Sequence, residues 1–161
     1  MNIIVECYGD TLLVKQLHFS PLAVHSGIGQ VANLMKKYHK NRLAIGIIDN
    51  DKTSIPRYFQ EFRQVSRTNA LIFLKHPAQN HYLIKIAPAF ERFITNAANE
   101  VGVNKTDYRL PPNDKNFRDI TKDEKLSKNQ NFVNFLNAVI ANNPSAIQDL
   151  RNCINEAINI R

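Results

Sequence analysis

The sequence has little of what several common protein classes require. Only two cysteines, Cys7 and Cys153, occur in 161 residues. They are too few for a disulfide framework, and no Cys-x-x-Cys spacing indicates zinc or redox chemistry. No apolar run approaches the roughly 20 residues needed to cross a bilayer, and no signal-peptide pattern is visible at the N-terminus. We therefore expect a cytoplasmic protein without a membrane partner.

Glycine is also scarce, with five residues in the whole chain. The segment Gly27-Ile28-Gly29 lacks the rest of either glycine-rich nucleotide-binding pattern, so the sequence gives no support for ATP use. Positive charge, in contrast, is abundant, because 21 Lys and Arg outnumber 14 Asp and Glu and leave a net charge of +7. This excess favours a polyanionic partner such as DNA or RNA.

The first half of the chain has the pattern of an α/β unit. Apolar runs predict strands at residues 2–5 and 42–48, with a short helix and then a longer amphipathic helix over 27–40 between them. The second strand is apolar throughout, as expected when helices cover both faces of a sheet. Residues 56–65 are predicted to form a short helix.

Two further strands are predicted at residues 70–74 and 82–86. About seven residues join them, which is too short for a parallel crossover, so we expect an antiparallel hairpin or one long bent element. Pro88 then opens an amphipathic helix. The polar stretch 104–130 is predicted to be an irregular connection, and residues 131–161 a helical hairpin packed on the sheet or on a partner. The expected units are therefore 1–103, 104–130 and 131–161.

Carboxylates follow two of the predicted strands. Glu6 ends the first, Asp49 and Asp51 end the second, and Asp10 lies four residues after Glu6. Ligands of open α/β sheets gather at the carboxyl ends of the strands, and Mg²⁺ prefers carboxylate oxygens, often only one or two together with substrate phosphates. An Asp-x-Asp after a strand is also common as turn and helix-cap chemistry, which is the alternative interpretation.

The two acidic segments resemble the motifs of the Toprim family. Residues 3–10, Ile-Ile-Val-Glu-Cys-Tyr-Gly-Asp, are similar to its first motif, and residues 44–51, Ala-Ile-Gly-Ile-Ile-Asp-Asn-Asp, to its second. The resemblance covers roughly residues 2 to 101 and is closest to small Toprim-like proteins related to the nucleases of the overcoming-lysogenization-defect family. It implies a Toprim or Rossmann-like α/β fold, with a small and mostly parallel sheet flanked by helices and followed in this chain by the C-terminal helical hairpin.

The resemblance also implies Mg²⁺- or Mn²⁺-dependent, nuclease-like cleavage of phosphodiester bonds in nucleic acid. Glu6 would act as general acid/base or ligand, Asp49 and Asp51 would hold the metal, and Asp10 would support them. Cys7 stands where the family usually has glycine. Candidate nucleic-acid contacts are Arg57, Arg63 and Lys52, with Arg67 as a further phosphate candidate, because basic side chains, and guanidinium forks in particular, match phosphate oxygens. A solvated helix face explains the arginines equally well.

Two other functions remain open on the sequence alone. One is a non-catalytic Toprim-like module that binds nucleic acid, a protein partner or a second copy of itself through the C-terminal helices. A weaker one is a small phosphatase or nucleotide-processing enzyme. Glu91 is expected to complement a helix dipole rather than to face the metal. His76 and His81 flank the predicted hairpin, where solvated side chains are expected rather than phosphate contacts.

Overall fold

The computed structural model describes residues 2–25, 27–38, 42–51 and 53–159. Within them the chain forms an α/β fold of six strands and seven α-helices, none of which is long and apolar enough to cross a bilayer. The elements are β1 (Asn2–Val5), α1 (Tyr8–Gln16), β2 (Pro21–Ala23), α2 (Ile28–Tyr38), β3 (Ala44–Asp49), α3 (Arg57–Gln60), β4 (Arg63–Arg67), β5 (Leu71–Lys75), β6 (His81–Ile86), α4 (Phe90–Glu100), α5 (Asp114–Thr121), α6 (Gln130–Ala141) and α7 (Ser145–Asn159).

The six strands form one mostly parallel sheet in the order β2-β1-β3-β6-β5-β4. The first four strands in this order are mutually parallel, whereas β5 is antiparallel to both β6 and β4. The predicted antiparallel hairpin is therefore confirmed, with Leu71 opposite Ile86. The carboxyl ends of β1, β3 and β6 lie side by side at one end of the sheet.

Apolar side chains of the strands alternate between two separate cores. Ile3 and Val5 of β1 belong to the larger core, while Ile4 between them belongs to the smaller one. Helices α1, α4, α6 and α7 contribute to the larger core, and α2 and α3 cover the smaller one. Because helices cover both faces, β1 and β3 have no polar side and appear in the sequence as continuous apolar runs.

Both edge strands differ from the sequence-based expectations. β2 was not predicted, and the short helix expected over residues 56–65 is shorter, because α3 ends at Gln60 and Arg63 begins β4. Every residue of β4 is exposed, and its pairing with β5 is interrupted by an irregularity between Gln64 and Ser66. A fully exposed strand has no alternation of buried and exposed residues, so its sequence carries no strand pattern.

The polar stretch 104–130 is more regular than predicted. It contains α5 and two 3-10 turns, at Lys105–Tyr108 and Leu126–Lys128. Leu110, Phe117 and Leu126 are buried in the larger core together with side chains of α6 and α7. The stretch and the C-terminal helices thus share one core with the sheet.

Candidate functional site

Glu6 and Asp49 meet at the carboxyl ends of two neighbouring strands. Strands β1 and β3 pair with Val5 beside Ile47, so the residues that follow emerge together. The backbone N–H of Glu6 donates to the carbonyl of Ile47 at 3.2 Å. The Glu6 side chain is buried, and its Oε2 accepts a hydrogen bond from the Asp49 N–H at 3.4 Å. The structure therefore brings these two predicted site residues into contact.

Asp10 joins them from the first turn of α1. Its side chain is 0% exposed, and among the described residues neither of its carboxylate oxygens has a hydrogen-bond partner. Burial raises the pKa of Asp10 well above its usual range and the negative charge of Asp49 raises it further, whereas the nearby Cys7 thiol lowers it and Glu6 raises it by less. We call Glu6, Asp10 and Asp49 the acidic cluster.

Cys7 connects the acidic cluster to the start of α1. It is the N-cap residue of this helix, and its Sγ accepts a hydrogen bond from the Asp10 N–H at 3.3 Å. Burial, followed by the charge of Asp10, raises the pKa of the Cys7 thiol well above its usual value. The thiol is therefore protonated at neutral pH and adds no negative charge to the cluster.

Asp49 also performs the helix-cap role that was the alternative interpretation. Its Oδ1 accepts a hydrogen bond from the Phe90 N–H at 2.9 Å, at the first residue of α4. The capped helix lies 41 residues further along the chain rather than at the local turn. A carboxylate at this position also complements the positive end of the helix dipole.

Asp51 lies on a cleft beside the acidic cluster. The cleft has a volume of about 500 Å³ and is bounded by the start of α4 and by α5. Glu91 lies in the first turn of α4, as the dipole interpretation expected, and its Oε1 accepts the Thr121 hydroxyl at 2.7 Å. It also lines the cleft.

Charges of both signs line this cleft. The lining contains four acidic residues, Asp51, Glu91, Asp114 and Asp119, and three basic residues, Arg92, Lys115 and Arg118. Lys115 and Arg118 were missed in the sequence because they lie on α5, within the stretch predicted to be irregular, and Arg92 was missed although it lies on the predicted helix α4. The signals for α5 were Asn113, whose side chain caps its start, and Phe117 with Thr121 four residues later, one buried face of a short helix.

The donor set of the acidic cluster fits a hard divalent cation. A buried polar group without a partner calls for a water or an ion, and both Asp10 oxygens are such groups. Among the described residues, no group of three or more His, Cys, Asp and Glu is arranged to hold a metal by itself. Mg²⁺ needs no such group, because it keeps several waters and often takes one or two carboxylates with substrate phosphates.

The candidate nucleic-acid contacts lie away from the cleft lining. Arg57 is exposed on α3 and Arg63 is exposed on β4, and neither lines the cleft. Lys52, the third candidate, lies outside the described residues. These arginines therefore belong to a different surface from the acidic cluster.

His76 and His81, expected to be solvated, are both buried, so that expectation was wrong. His76 Nδ1 accepts the Ala78 N–H at 3.1 Å, which leaves Nε2 to donate to Glu61 at 3.2 Å. His81 Nδ1 pairs with the Tyr58 hydroxyl, and burial, with a smaller contribution from Glu61, raises the pKa of Tyr58 to about 12. These contacts attach the β5–β6 hairpin to α3 at the end of the sheet opposite the acidic cluster.

Comparisons with protein-family models, with curated proteins and with solved structures found no match to this chain.

Proposed function

We propose that this chain is a Toprim-like protein that cleaves phosphodiester bonds of nucleic acid with Mg²⁺ or Mn²⁺. The observation that carries the proposal is the buried Asp10 carboxylate, which has no hydrogen-bond partner among the described residues and lies beside Asp49 and Glu6. Burying an ionised carboxylate is costly unless an opposite charge or hydrogen bonds compensate it. A divalent cation at the cluster supplies that compensation.

The roles of the residues follow from their positions. Asp10 and Asp49 would hold the cation, since the Asp10 carboxylate is buried without a well-formed hydrogen bond and the charge of Asp49 lies close to it. Asp51, exposed on the cleft, would contact the cation or its waters from the substrate side. Glu6 would move a proton or complete the coordination. The cation, when bound, neutralises charge on the phosphoryl oxygens and activates water.

The acidic cluster beside the cleft supports a fixed order of binding. The cleft walls are close to balanced in charge, because Asp114 is paired with Lys105 at 3.9 Å as well as with Arg92, whereas the buried carboxylates of the acidic cluster repel a phosphate. A divalent cation at the cluster turns this repulsion into attraction. We therefore expect phosphate-containing ligands to enter the cleft only after the metal, so inorganic pyrophosphate binds in Mn²⁺ and not in EDTA.

The test compares three variants that change a carboxylate to its neutral amide. In Asp49→Asn the amide oxygen can still accept the Phe90 N–H, so the variant removes charge while it preserves the helix cap. Asp10→Asn replaces the ionisable carboxyl at the buried position by a neutral amide of nearly the same shape. Asp123→Asn is the matched control, because Asp123 accepts the Lys125 N–H at 2.7 Å on the exposed surface.

Mn²⁺ affinity by calorimetry and cleavage of labelled DNA and RNA oligonucleotides are then measured for each variant. Loss of an outer-shell partner of a metal already costs about 10- to 100-fold in affinity or activity, so loss of a direct ligand costs at least that. We expect this loss in Asp10→Asn and Asp49→Asn and none in Asp123→Asn. If wild-type protein binds no Mn²⁺ even with pyrophosphate present, or if the variants cleave as well as wild type, the proposal is wrong.

A second candidate is the non-catalytic module. It is favoured by the use of Asp49 as a helix cap, a structural role that needs no metal. This candidate predicts nucleic-acid or protein binding that is equal in EDTA and in Mn²⁺, with no cleavage under either condition.

A further inference from the structure

The net charge of the chain is concentrated in one continuous segment. Residues 27–86 contain ten Lys and Arg against three Asp and Glu, an excess of seven that equals the net charge of the whole chain. The remaining residues contain eleven of each sign and are balanced. This segment forms α2, β3, α3 and the strands β4, β5 and β6. The positive charge excess of the chain therefore lies in this segment, whose cations include Lys75 on the larger-core face, over the Tyr82 ring, as well as others on the face of the smaller core.

Strand register places two of these cations in one row. Lys85 of β6 pairs with Ile72 of β5, and Ile72 pairs with Arg67 of β4. Directly opposite residues of antiparallel strands point to the same face of a sheet. Ile72 packs against the smaller core, so Lys85 and Arg67 lie on the face that α2 and α3 partly cover.

Neither cation has a counter-ion among the described residues. Lys85 is half-buried, and burial alone lowers the pKa of its ammonium group. Arg67 is exposed at the end of the edge strand. Because a partly desolvated cation gains more from an anion than a fully hydrated one does, Lys85 is well placed to bind an anion from outside the chain.

The row lies close to the carboxyl ends of the strands that carry the acidic cluster. On the other side of Lys85, the paired residue of β3 is Ile48, one residue before Asp49. Ile86, the partner of Asp49, belongs to the larger core, so Asp49 and the row lie on opposite faces of the sheet near the same strand ends. Adjacent strands lie about 4.8 Å apart, so Lys85 and Arg67 are separated by about 10 Å at the backbone. A nucleic-acid strand carries about one phosphate per 3.4 Å of duplex axis, so the two cations reach different phosphates of one strand.

We propose that Lys85 and Arg67, on the sheet face of the smaller core, form a phosphate-backbone contact that holds a nucleic-acid strand near the strand ends that carry the acidic cluster. The identification of the polyanion as nucleic acid rests on the proposed function, whereas the surface itself does not depend on metal or cleavage. It is separate from the cleft, whose lining includes neither residue. We call it the Lys85–Arg67 surface.

The test measures binding of a fluorescein-labelled single-stranded DNA of about 20 nucleotides in EDTA, between about 50 and 200 mM salt. Lys85→Gln/Arg67→Gln is compared with Lys122→Gln/Lys128→Gln, which removes two exposed lysines from the charge-balanced part of the chain. Each phosphate contact on a single strand contributes about 0.7 to the slope of log affinity against log salt. We expect the slope of the first variant to fall by about 1.4 and that of the second to stay unchanged.

Circular dichroism and thermal melting first establish that both variants are folded. Equal weakening in both variants would overturn the proposal, because only net charge would then matter. So would wild-type protein that ignores the DNA at low salt but binds poly-glutamate, an outcome that indicates an acidic protein partner. Since EDTA removes the metal, a failed cleavage assay leaves this result unaffected, and lost DNA binding leaves the Mn²⁺ titration of the acidic cluster unaffected.

Discussion

Asp10 is the buried carboxyl of the acidic cluster, and its ionisation in the folded protein is electrostatically unfavourable. Burial, with Asp49 and Glu6 nearby, raises its pKa, so the folded protein holds this proton over a pH range in which the unfolded chain has released it. The resulting stability is complete below the pKa of an ordinary Asp and is lost as pH rises toward the raised pKa of the folded state. Without metal, the protein therefore becomes less stable as the solution becomes more alkaline.

Changing Asp10 to Asn removes this dependence, because an amide cannot ionise. In EDTA at pH 8 we expect Asp10→Asn to be more stable than wild type. Both side chains share the cost of burying a polar group, but only the carboxyl loses proton-linked stability as the pH rises. Each unit of pKa difference between the folded and unfolded states is worth about 1.4 kcal/mol. For a chain of this length each kcal/mol corresponds to a rise in Tm of roughly 2–4 °C. Thermal melting at pH 5 and pH 8 checks it.

Two further comparisons test whether the change in stability comes from ionisation of Asp10. The gain in Tm should shrink at pH 5, where wild-type Asp10 holds its proton more fully. Added Mn²⁺ should stabilise wild type and leave Asp10→Asn unchanged. A variant that melts below wild type at both pH values would contradict this expectation, because the Asp10 carboxylate would then stabilise the fold directly.

Helices α1 and α4 meet through a glycine. A Cβ on Gly9 would lie 2.4 Å from a ring carbon of Phe90, the residue whose N–H donates to Asp49 Oδ1. The glycine is therefore required by the close approach of the two helices. This contact fixes the start of α4 relative to the acidic cluster.

Gly9→Ala should destabilise the fold even though alanine favours helices. Displacing the Phe90 ring costs about 1–3 kcal/mol, as overpacking of a core does. Gly29→Ala is the matched control, because Gly29 lies in α2 with no atom within 4 Å of the added Cβ, and it should gain up to about 1 kcal/mol from helix propensity. Urea unfolding measures both, and equal effects of the two substitutions would contradict the packing argument.

Elements formed by contiguous apolar runs could be predicted from the sequence, and elements formed by distant contacts could not. β1 and β3 were expected because their buried residues form local apolar runs, and the β5–β6 hairpin was expected because a short loop joins its two strands. The caps of α4 and α7 come from Asp49 and Glu100, which are 41 and 45 residues away from the groups they bind. Such caps depend on the packed structure and leave no local signal.

The candidate site was likewise predictable only where local sequence determines it. Glu6, Asp10 and Asp49 follow strand ends in the sequence, and parallel pairing of β1 with β3 brings them together. The cleft was not predicted because α5 is short and lies in a polar stretch, where only Phe117 and Thr121 are buried. The Lys85–Arg67 row requires strand register, which the sequence of β4 does not specify.

On the scale of the whole molecule, the C-terminal helices are part of the core that supports the sheet. Phe135 of α6 is fully buried and packs against Phe132, Phe117 and Tyr108. These rings come from α5, α6 and the 3-10 turn before α5, in the same core as β1 and β3. We therefore expect the sheet and the C-terminal helices to unfold together.

Phe135→Ala should lower the free energy of unfolding by about 3–5 kcal/mol, the usual cost of removing a buried aromatic ring. Circular dichroism at 222 nm follows the helices, and tyrosine fluorescence, which no tryptophan obscures, reports mainly on residues 1–103, where four of the five tyrosines lie. Both signals should shift to the same lower urea midpoint. Asn137→Ala on the exposed face of α6 should change stability by less than about 0.5 kcal/mol, and separate midpoints for the two signals would indicate independent units.

The exposed edge strand β4 also bears on how the protein behaves at high concentration. An open edge can template pairing with another copy and begin aggregation. Antiparallel pairing of two copies centred on Val65 would place Arg63 of each copy opposite Arg67 of the other, and like charges directly opposite are destabilising. The pairing irregularity between Gln64 and Ser66 further disturbs the edge. The arginines proposed to attract a polyanion thus also protect the sheet from growing by self-addition.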